Sequence, residues 1–378
     1  KKRRIAAFAA VFLMLLPQIG CGEGNEKEPV RVEGYRSEQL SLWTAHVLEK
    51  YRSDFDYGEQ PEEPLEIRLA KGETEGAQIV FAAKEDIESY TVEVSPLKQG
   101  MAVIPAGNVR VYHEKYLCLD EKYYNNPAYP LNSMLPDAIL PMETAQEYGE
   151  NCVKAGYNQA VYIEVSTLTD QAPGLYTGTA TLRADNRIYT VPVEVTVWDF
   201  EIPSTPSVQN YLSTFGRDHI GAAELDASDE MAEAYFEKLL TYRMNSELPF
   251  TGIGGIPRYI ELLRKYDSWP GFSSFRFYYE LSPSFYAGES IPFNAPLIKE
   301  YLKAVVKASM EDGRNYLDKA MFYFSNIIDE PGTEEAYENV RKVLKVYKQL
   351  LIDTDAELRD ELRTYRNFLF YAETISPT

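Results

Sequence analysis

The stretch "FYFSNIIDEPGTEEAYENVRKVL", Phe322 to Leu344, runs from a continuous apolar segment through two adjacent acids and a proline into a helical pattern. A buried strand that stops at a turn and hands over to a helix is one βα unit, the building element of a parallel sheet. The spacing predicts a strand over Ala320 to Ile328 and a helix over Thr333 to Leu351. Pro331 biases Glu330 toward extended backbone. Gly332 and Thr333 permit the turn, with Thr333 as candidate N-cap and Glu334 and Glu335 in the first helical turn.

The same rhythm surrounds that unit. "EIPSTPS", Glu201 to Ser207, carries two prolines in quick succession and reads as a linker over 201–207. Beyond it come an apolar run at Val208 to Phe215 and the helical pattern "DEMAEAYFEKLLTYRM", whose Met231, Tyr235, Leu239 and Tyr242 recur as an expected buried stripe. A short strand near Glu247 to Phe250, a helix near Pro257 to Lys265, a strand near Phe275 to Leu281 and a helix over Pro296 to Met310 follow. "NFLFYAE", Asn367 to Glu373, reads as a fifth strand. Residues 208–378 are therefore expected to form a partial (β/α) catalytic barrel. They number 171, against about 250 for a (β/α)8 TIM-type barrel, so the expectation is a barrel truncated after about five strands.

Ahead of the linker the strand signals are short and frequent, as in "PLEIRLAKGE", "GAQIVFAA", "QAVYIEVST" and "RIYTVPVEVTVW". They alternate polar and apolar residues and are bounded by Gly, Pro or Asn turns, which predicts an antiparallel β-sandwich over 30–200. Tyr123 to Glu150, with prolines from Pro127 to Pro141, reads as an ordered excursion across the sandwich surface. The chain is thus multi-domain.

The N-terminus stands apart from both domains. "KKRR" at Lys1 to Arg4 is a basic region and "IAAFAAVFLMLL", Ile5 to Leu16, is an apolar core of 12 residues, too short to span a bilayer comfortably as a helix. It reads as an export signal. "PQIGCG" then places Cys21 after Ile19 and Gly20, which resembles a bacterial lipoprotein cleavage box, although Gln18 departs from the aliphatic residue usual there. Residues 1–21 are expected to be a lipoprotein-type signal ending at the lipidated Cys21, and 22–29 a solvated tether. The membrane would be engaged through that lipid anchor alone, with the protein exported to the bacterial cell surface or periplasm.

Charge and composition narrow the ligand. Lys plus Arg is 38 and Asp plus Glu is 58, a net charge of −20, which argues against nucleic acid. Aromatic residues make up 13% of the chain, dominated by 29 tyrosines. Tyrosine suits an amphipathic ligand such as a sugar, and it also suits strands. Cys118 and Cys152 lack a CxxC or Cys/His context, and His46, His113 and His219 are far apart in sequence, so no metal or cofactor is expected. No GxSxG elbow nominates a serine nucleophile, and "GIGG", Gly252 to Gly255, lacks the Lys-Ser/Thr of a phosphate loop.

In a βα barrel the chemistry sits where strands end, so "DEP" would deliver Asp329 and Glu330 into the mouth. The bland reading is that acids precede a helix because they complement its dipole. Several stretches in order, "LAKGETEGAQIVF" (Leu69 to Phe81), "LPDAILP" (Leu135 to Pro141), "APGLYTGTATL" (Ala172 to Leu182), "DFEIPSTPS" (Asp199 to Ser207) and "IIDEP" (Ile327 to Pro331), resemble glycoside hydrolase family 123 and the related domain of unknown function 4091. The resemblance covers about Glu66 to Pro331. It implies a β-sandwich followed by a catalytic barrel with an adjacent Asp-Glu pair after the fourth strand. It also implies β-N-acetylgalactosaminidase-type, substrate-assisted retaining hydrolysis of N-acetylhexosaminides. Asp329 would orient the 2-acetamido group and Glu330 would act as acid and then base. Trp269, in "DSWPGF", and Tyr371, on the fifth strand, are candidates for stacking on substrate, with core packing the alternative for Tyr371. The competing readings are a hydrolase for a different glycan, a non-catalytic surface glycan-binding lipoprotein, and a structural module in which "DEP" only caps a helix.

Overall fold

A computed structural model describes residues 29–120, 129–212, 228–250, 254–278, 295–323, 333–358 and 369–371. The chain divides into two units, 1–202 and 203–378.

The first unit is built from twelve strands: β1 (Val30–Arg31), β2 (Leu40–His46), β3 (Leu65–Lys71), β4 (Thr74–Ala83), β5 (Tyr90–Val94), β6 (Leu97–Gln99), β7 (Ala102–Ile104), β8 (Val109–Cys118), β9 (Met134–Pro141), β10 (Asn158–Ser166), β11 (Gly174–Ala184) and β12 (Arg187–Glu201). Helix α1 (Met142–Glu147) follows β9. Two sheets result. The seven-stranded sheet runs β1-β12-β11-β6-β7, with β3 also on β12 and β5 also on β11, and the five-stranded sheet runs β2-β4-β10-β8-β9. Alternation along each strand sends one side chain in two to a shared core. Leu40 and Leu42, Ile79 and Phe81, and Val161 and Ile163 face Leu65, Ile67, Tyr176, Leu182, Val191 and Val193, as period-2 patterning requires.

Two expectations change here. The sandwich is not purely antiparallel, because both β1 and β3 pair with β12 in parallel. At 15 residues β12 is long enough to take β1 at Arg187–Ile188 and β3 from Val193 onward on one edge, with β11 along the other. The segment Tyr123 to Glu150, read as a surface excursion, contains the edge strand β9 and helix α1. Leu135, Pro136, Ile139 and Leu140 pair with β8, and prolines are tolerated on an edge strand. Positions 123–128 of that segment lie outside the described residues.

On the outer face of the five-stranded sheet Trp43, Val80 and Ala160 form one cross-strand row. The chain after β2 folds over this row. The Gln78 amide donates to the carbonyls of His46, Val47 and Glu49, and the Asn158 amide donates to those of Arg52 and Phe55. Tyr51 and Tyr57 pack their rings on Trp43. Strand β8 then presents a histidine and a glutamate to opposite sides. His113 points into the core, where it hydrogen-bonds Tyr90, and burial pushes its pKa down to about 4. Glu114, on the covered outer face, is 6% exposed, and burial pushes its pKa up to about 7.

The two groups act on stability with opposite sign. Glu114 binds its proton more tightly folded than unfolded, so its contribution is complete below pH 4.5 and is lost as pH rises toward 7. His113 resists protonation when folded, so its contribution is complete above pH 6.5 and is lost as pH falls toward 4. Glu114→Gln removes the first effect only. Denaturant unfolding should show the variant and the parent equal near pH 4, with the variant the more stable by up to about 3 kcal/mol near pH 8; a difference independent of pH would refute this.

The second unit alternates helices and extended segments. Helix α2 (Asp229–Thr241) starts at Ser228, whose hydroxyl accepts from the Met231 amide. It is followed by α3 (Gly255–Tyr266), β13 (Phe275–Arg276), α4 (Ala295–Asp312), β14 (Ala320–Tyr323), α5 (Glu334–Glu357) and β15 (Leu369–Tyr371). Strands β13, β14 and β15 are parallel neighbours in chain order, as the βα rhythm predicts. The buried stripe of α2 is Ala232, Phe236 and Leu240, one residue out of phase with the expected set, and Tyr242 is exposed. Phe236 packs on Tyr266 and Phe272, and this cluster sets the helix phase. The segment 245–250 makes a single parallel bridge, Glu247 to Arg276, and 208–212 forms no strand. Among the described residues no helix is long and apolar enough to cross a membrane.

Candidate active site

The residues that position this site lie where the extended segments of the second unit run side by side. Asn245 is fully buried and ties three of them together. Its backbone N–H donates to Asn210 Oδ1 at 2.9 Å. Its side-chain amide donates to the Gly271 carbonyl and Ser273 Oγ, at 3.1 and 3.2 Å. Its side-chain oxygen accepts from the Ser273 and Ser274 amides. The Leu212 amide in turn donates to the Asn245 carbonyl at 2.7 Å.

Two residues past Asn245, Glu247 meets side chains from the segments on either side. Tyr211 donates its hydroxyl to Glu247 Oε1 at 2.7 Å, and Ser246 Oγ donates to Oε2 at 2.6 Å. Arg276, the last residue of β13, lies with Nη1 3.7 Å from Oε1 and 3.5 Å from the Tyr211 oxygen. The Arg276 and Glu247 side chains are 15% and 24% exposed, so solvent reaches both.

Alternation explains why charge collects here. Leu248, Phe275, Phe277 and Ala320 join Tyr259, Leu263, Leu302 and Val306 of α3 and α4 in the second core. Glu247 and Arg276, one residue out of step with them, take the face of the sheet opposite α3 and α4. The sequence signal was available: "SFRFYY" sets an arginine between two phenylalanines, which in a strand sends it to the face opposite theirs.

Of the residues singled out from sequence, Asp329, Glu330 and Cys21 lie outside the described residues. Trp269 is described. It sits in the turn between α3 and β13, where its amide donates to the Tyr266 carbonyl, and its ring meets Tyr266 edge-on at 5.3 Å. That turn enters β13 at its N-terminal end, the end opposite Arg276. The backbone of Tyr371 lies opposite Tyr323 across β14 and β15. No cluster of three or more metal-ligating side chains occurs among the described residues, and Cys118 and Cys152 are both free and exposed.

Residues 51–184 match the model of the glycoside hydrolase 123 N-terminal domain. The sandwich is similar to a family 123 N-terminal domain. The match bears out the resemblance to family 123 read from the sequence. Among solved structures the chain is similar to a family 123 glycoside hydrolase from Clostridium perfringens, described in terms of glycolipid glycan hydrolysis, with a TM-score of 0.53 at 11% identity, over 88% of this chain and 63% of that one. The chain therefore spans less than two thirds of that family 123 enzyme, and at this identity the likeness is one of fold. A macrocyclising enzyme of alchivemycin A biosynthesis (TM-score 0.27, 8% identity, 46% of this chain and 96% of that one) and a PapD-like domain of human CEP192 (0.17, 12%, 53% and 99%) are too remote to bear on function. No curated protein matches the chain.

Replacing Asn245 with Ala leaves the Ser273 and Ser274 amides without their acceptor and opens a small void. The second unit should lose about 2–4 kcal/mol, seen as an earlier unfolding transition in calorimetry. An unshifted transition would show that Asn245 does not hold these segments.

Proposed function

We propose that this protein is an exported glycoside hydrolase of the N-acetylhexosaminidase type, in which a β-sandwich precedes a (β/α)8 barrel and Asp329 and Glu330 carry the chemistry. The observation that carries this reading is the family 123 match over 51–184. Two features of the second unit support it. Its extended segments neighbour one another in chain order, 208–212 beside 245–250, 245–250 beside β13, and then β14 and β15, which is the connectivity of a βα barrel. The chain also runs from the end of β14 into the Asp329-Glu330 pair, and strand C-terminal ends are where such folds keep their chemistry.

In this reading the substrate supplies its own nucleophile. Asp329 accepts a hydrogen bond from the 2-acetamido N–H, and the acetamido oxygen attacks the anomeric carbon as the bond to the leaving oxygen breaks. Glu330 gives its proton to that oxygen and then takes one from the water that opens the cyclic intermediate, so configuration is retained. Two acids serving one face of the sugar can be sequence neighbours, whereas a nucleophile and an acid on opposite faces need about 5 Å or more between them. The assay is cleavage of aryl β-N-acetylgalactosaminide and β-N-acetylglucosaminide by protein from the complete reading frame. Asp329→Asn and Glu330→Gln should each lower kcat/KM at least about a hundredfold. Undiminished rates in either would remove that residue from the mechanism. Absence of cleavage by the folded parent would favour a non-catalytic glycan binder or a hydrolase of another glycan.

The reading includes a lipid anchor on Cys21, which becomes the first residue once residues 1–20 are removed. Cys21→Ser should move the protein from the detergent phase to the aqueous phase on Triton X-114 partition of expressing cells; equal partition of both forms would exclude lipidation at that residue.

A further inference from the structure

A sheet face that meets water ordinarily carries polar side chains, and one stretch of the seven-stranded sheet departs from that. Along β12, Val193, Val195 and Val197 enter the core, so Glu194, Thr196 and Trp198 take the outer face. Trp198 and Phe200 are 43% and 54% exposed, and their rings stack with an interplanar angle of 16° and centroids 5.6 Å apart. Thr196 stands opposite Leu175 of β11 in one ladder and Arg68 of β3 in the other. Leu175 is exposed as well, diagonal to Trp198 on the same face. Three large apolar side chains therefore meet water together, edged by Thr196 and Arg68.

At Arg68 the surface becomes polar. Glu66 and Arg68 line, with Thr44, His46, Glu63 and Glu75, a cleft of about 430 Å³. Arg68 Nη2 meets Glu66 Oε2 at 2.9 Å, with both side chains more than half exposed, and an ion pair so open to water is held weakly. Its donors and acceptors are exchangeable for those of a ligand.

This combination selects the ligand. A pyranose ring packs its C–H face on an aromatic ring while its hydroxyls reach polar groups at the side, an amphipathic demand that rings beside an open ion pair meet. The net charge of −20 disfavours an anionic glycan. A protein partner would need about 800 Å² of this surface, from about 20 residues or more, and three apolar side chains do not supply that.

We propose that Trp198 and Phe200 form an aromatic platform for a neutral glycan of hexose or N-acetylhexosamine units, with Arg68 and Glu66, at the rim of the cleft, engaging its hydroxyls. The platform gives the β-sandwich a binding role of its own. It rests on the hydrolase reading for the class of sugar and does not involve the acid pair.

The test uses protein from the complete reading frame with the double variant Trp198→Ala/Phe200→Ala, with Trp198→Phe and with Arg68→Ala. Binding is read by titration calorimetry with tetra-N-acetylchitotetraose and by affinity electrophoresis in gels containing asialomucin. The parent should bind the tetrasaccharide and be retarded by the mucin. The double variant should bind at least about tenfold more weakly and run as the parent does without glycan. Its kcat/KM on the aryl β-N-acetylhexosaminide should stay within about twofold of the parent, and its Tm within a few degrees, because both rings are surface groups. Trp198→Phe, which keeps a ring, should retain most of the binding, and Arg68→Ala should fall between the two. Binding unchanged in the double variant overturns the platform and leaves the hydrolase standing. A parent that cleaves nothing yet binds, with binding lost in the double variant, overturns the hydrolase and keeps the platform. A parent that binds neither glycan overturns the platform whatever its activity, as does sedimentation showing a dimer that the double variant dissociates.

Discussion

Side-chain alternation about the strand is the constraint from which most of this protein follows. In the first unit it is expressed most fully in β12, whose 15 residues send Val191, Val193, Val195 and Val197 into the core. Its two backbone edges hold β11 on one side and β1 and β3 on the other. A slip of one residue would turn that row to solvent. The register of β1, β3 and β11 is therefore set against one strand, and the hairpin that begins it turns at Asp185, whose carboxylate accepts from the Glu88 and Ser89 amides.

The same alternation separates packing from chemistry in the second unit. Phe275 and Phe277 bury against α3 and α4, so Arg276 between them takes the opposite face. Glu247 follows by the parallel bridge that joins it to Arg276, and the Asn245 hub two residues earlier fixes the height at which the segments meet. A charged pair placed this way keeps partial access to water, which lessens the desolvation cost of burying charge.

Much of this was legible in the chain. The many short alternating strands ahead of residue 200, the change of rhythm after the prolines and the βα order of the second unit are local signals, because each depends on residues within one element. The acids at 329 and 330 were legible as chemistry from their adjacency and their place after an apolar strand. Other features depended on partners remote in sequence. The phase of α2 follows Phe236 because Tyr266 and Phe272 receive it, and the proline-rich segment after residue 130 is a strand because β8 offers it an edge.

By itself the sequence determined the two-part organisation, the strand and helix rhythms, the acid pair and the kinship with family 123, since these are written in period, order and motif. Only the tertiary structure decided that β1 and β3 lie parallel to β12, that burial raises the pKa of Glu114, and that Tyr211, Glu247 and Arg276 converge. Pairing direction, desolvation and convergence are properties of groups brought together from distant parts of the chain, and no local pattern records which of them will meet.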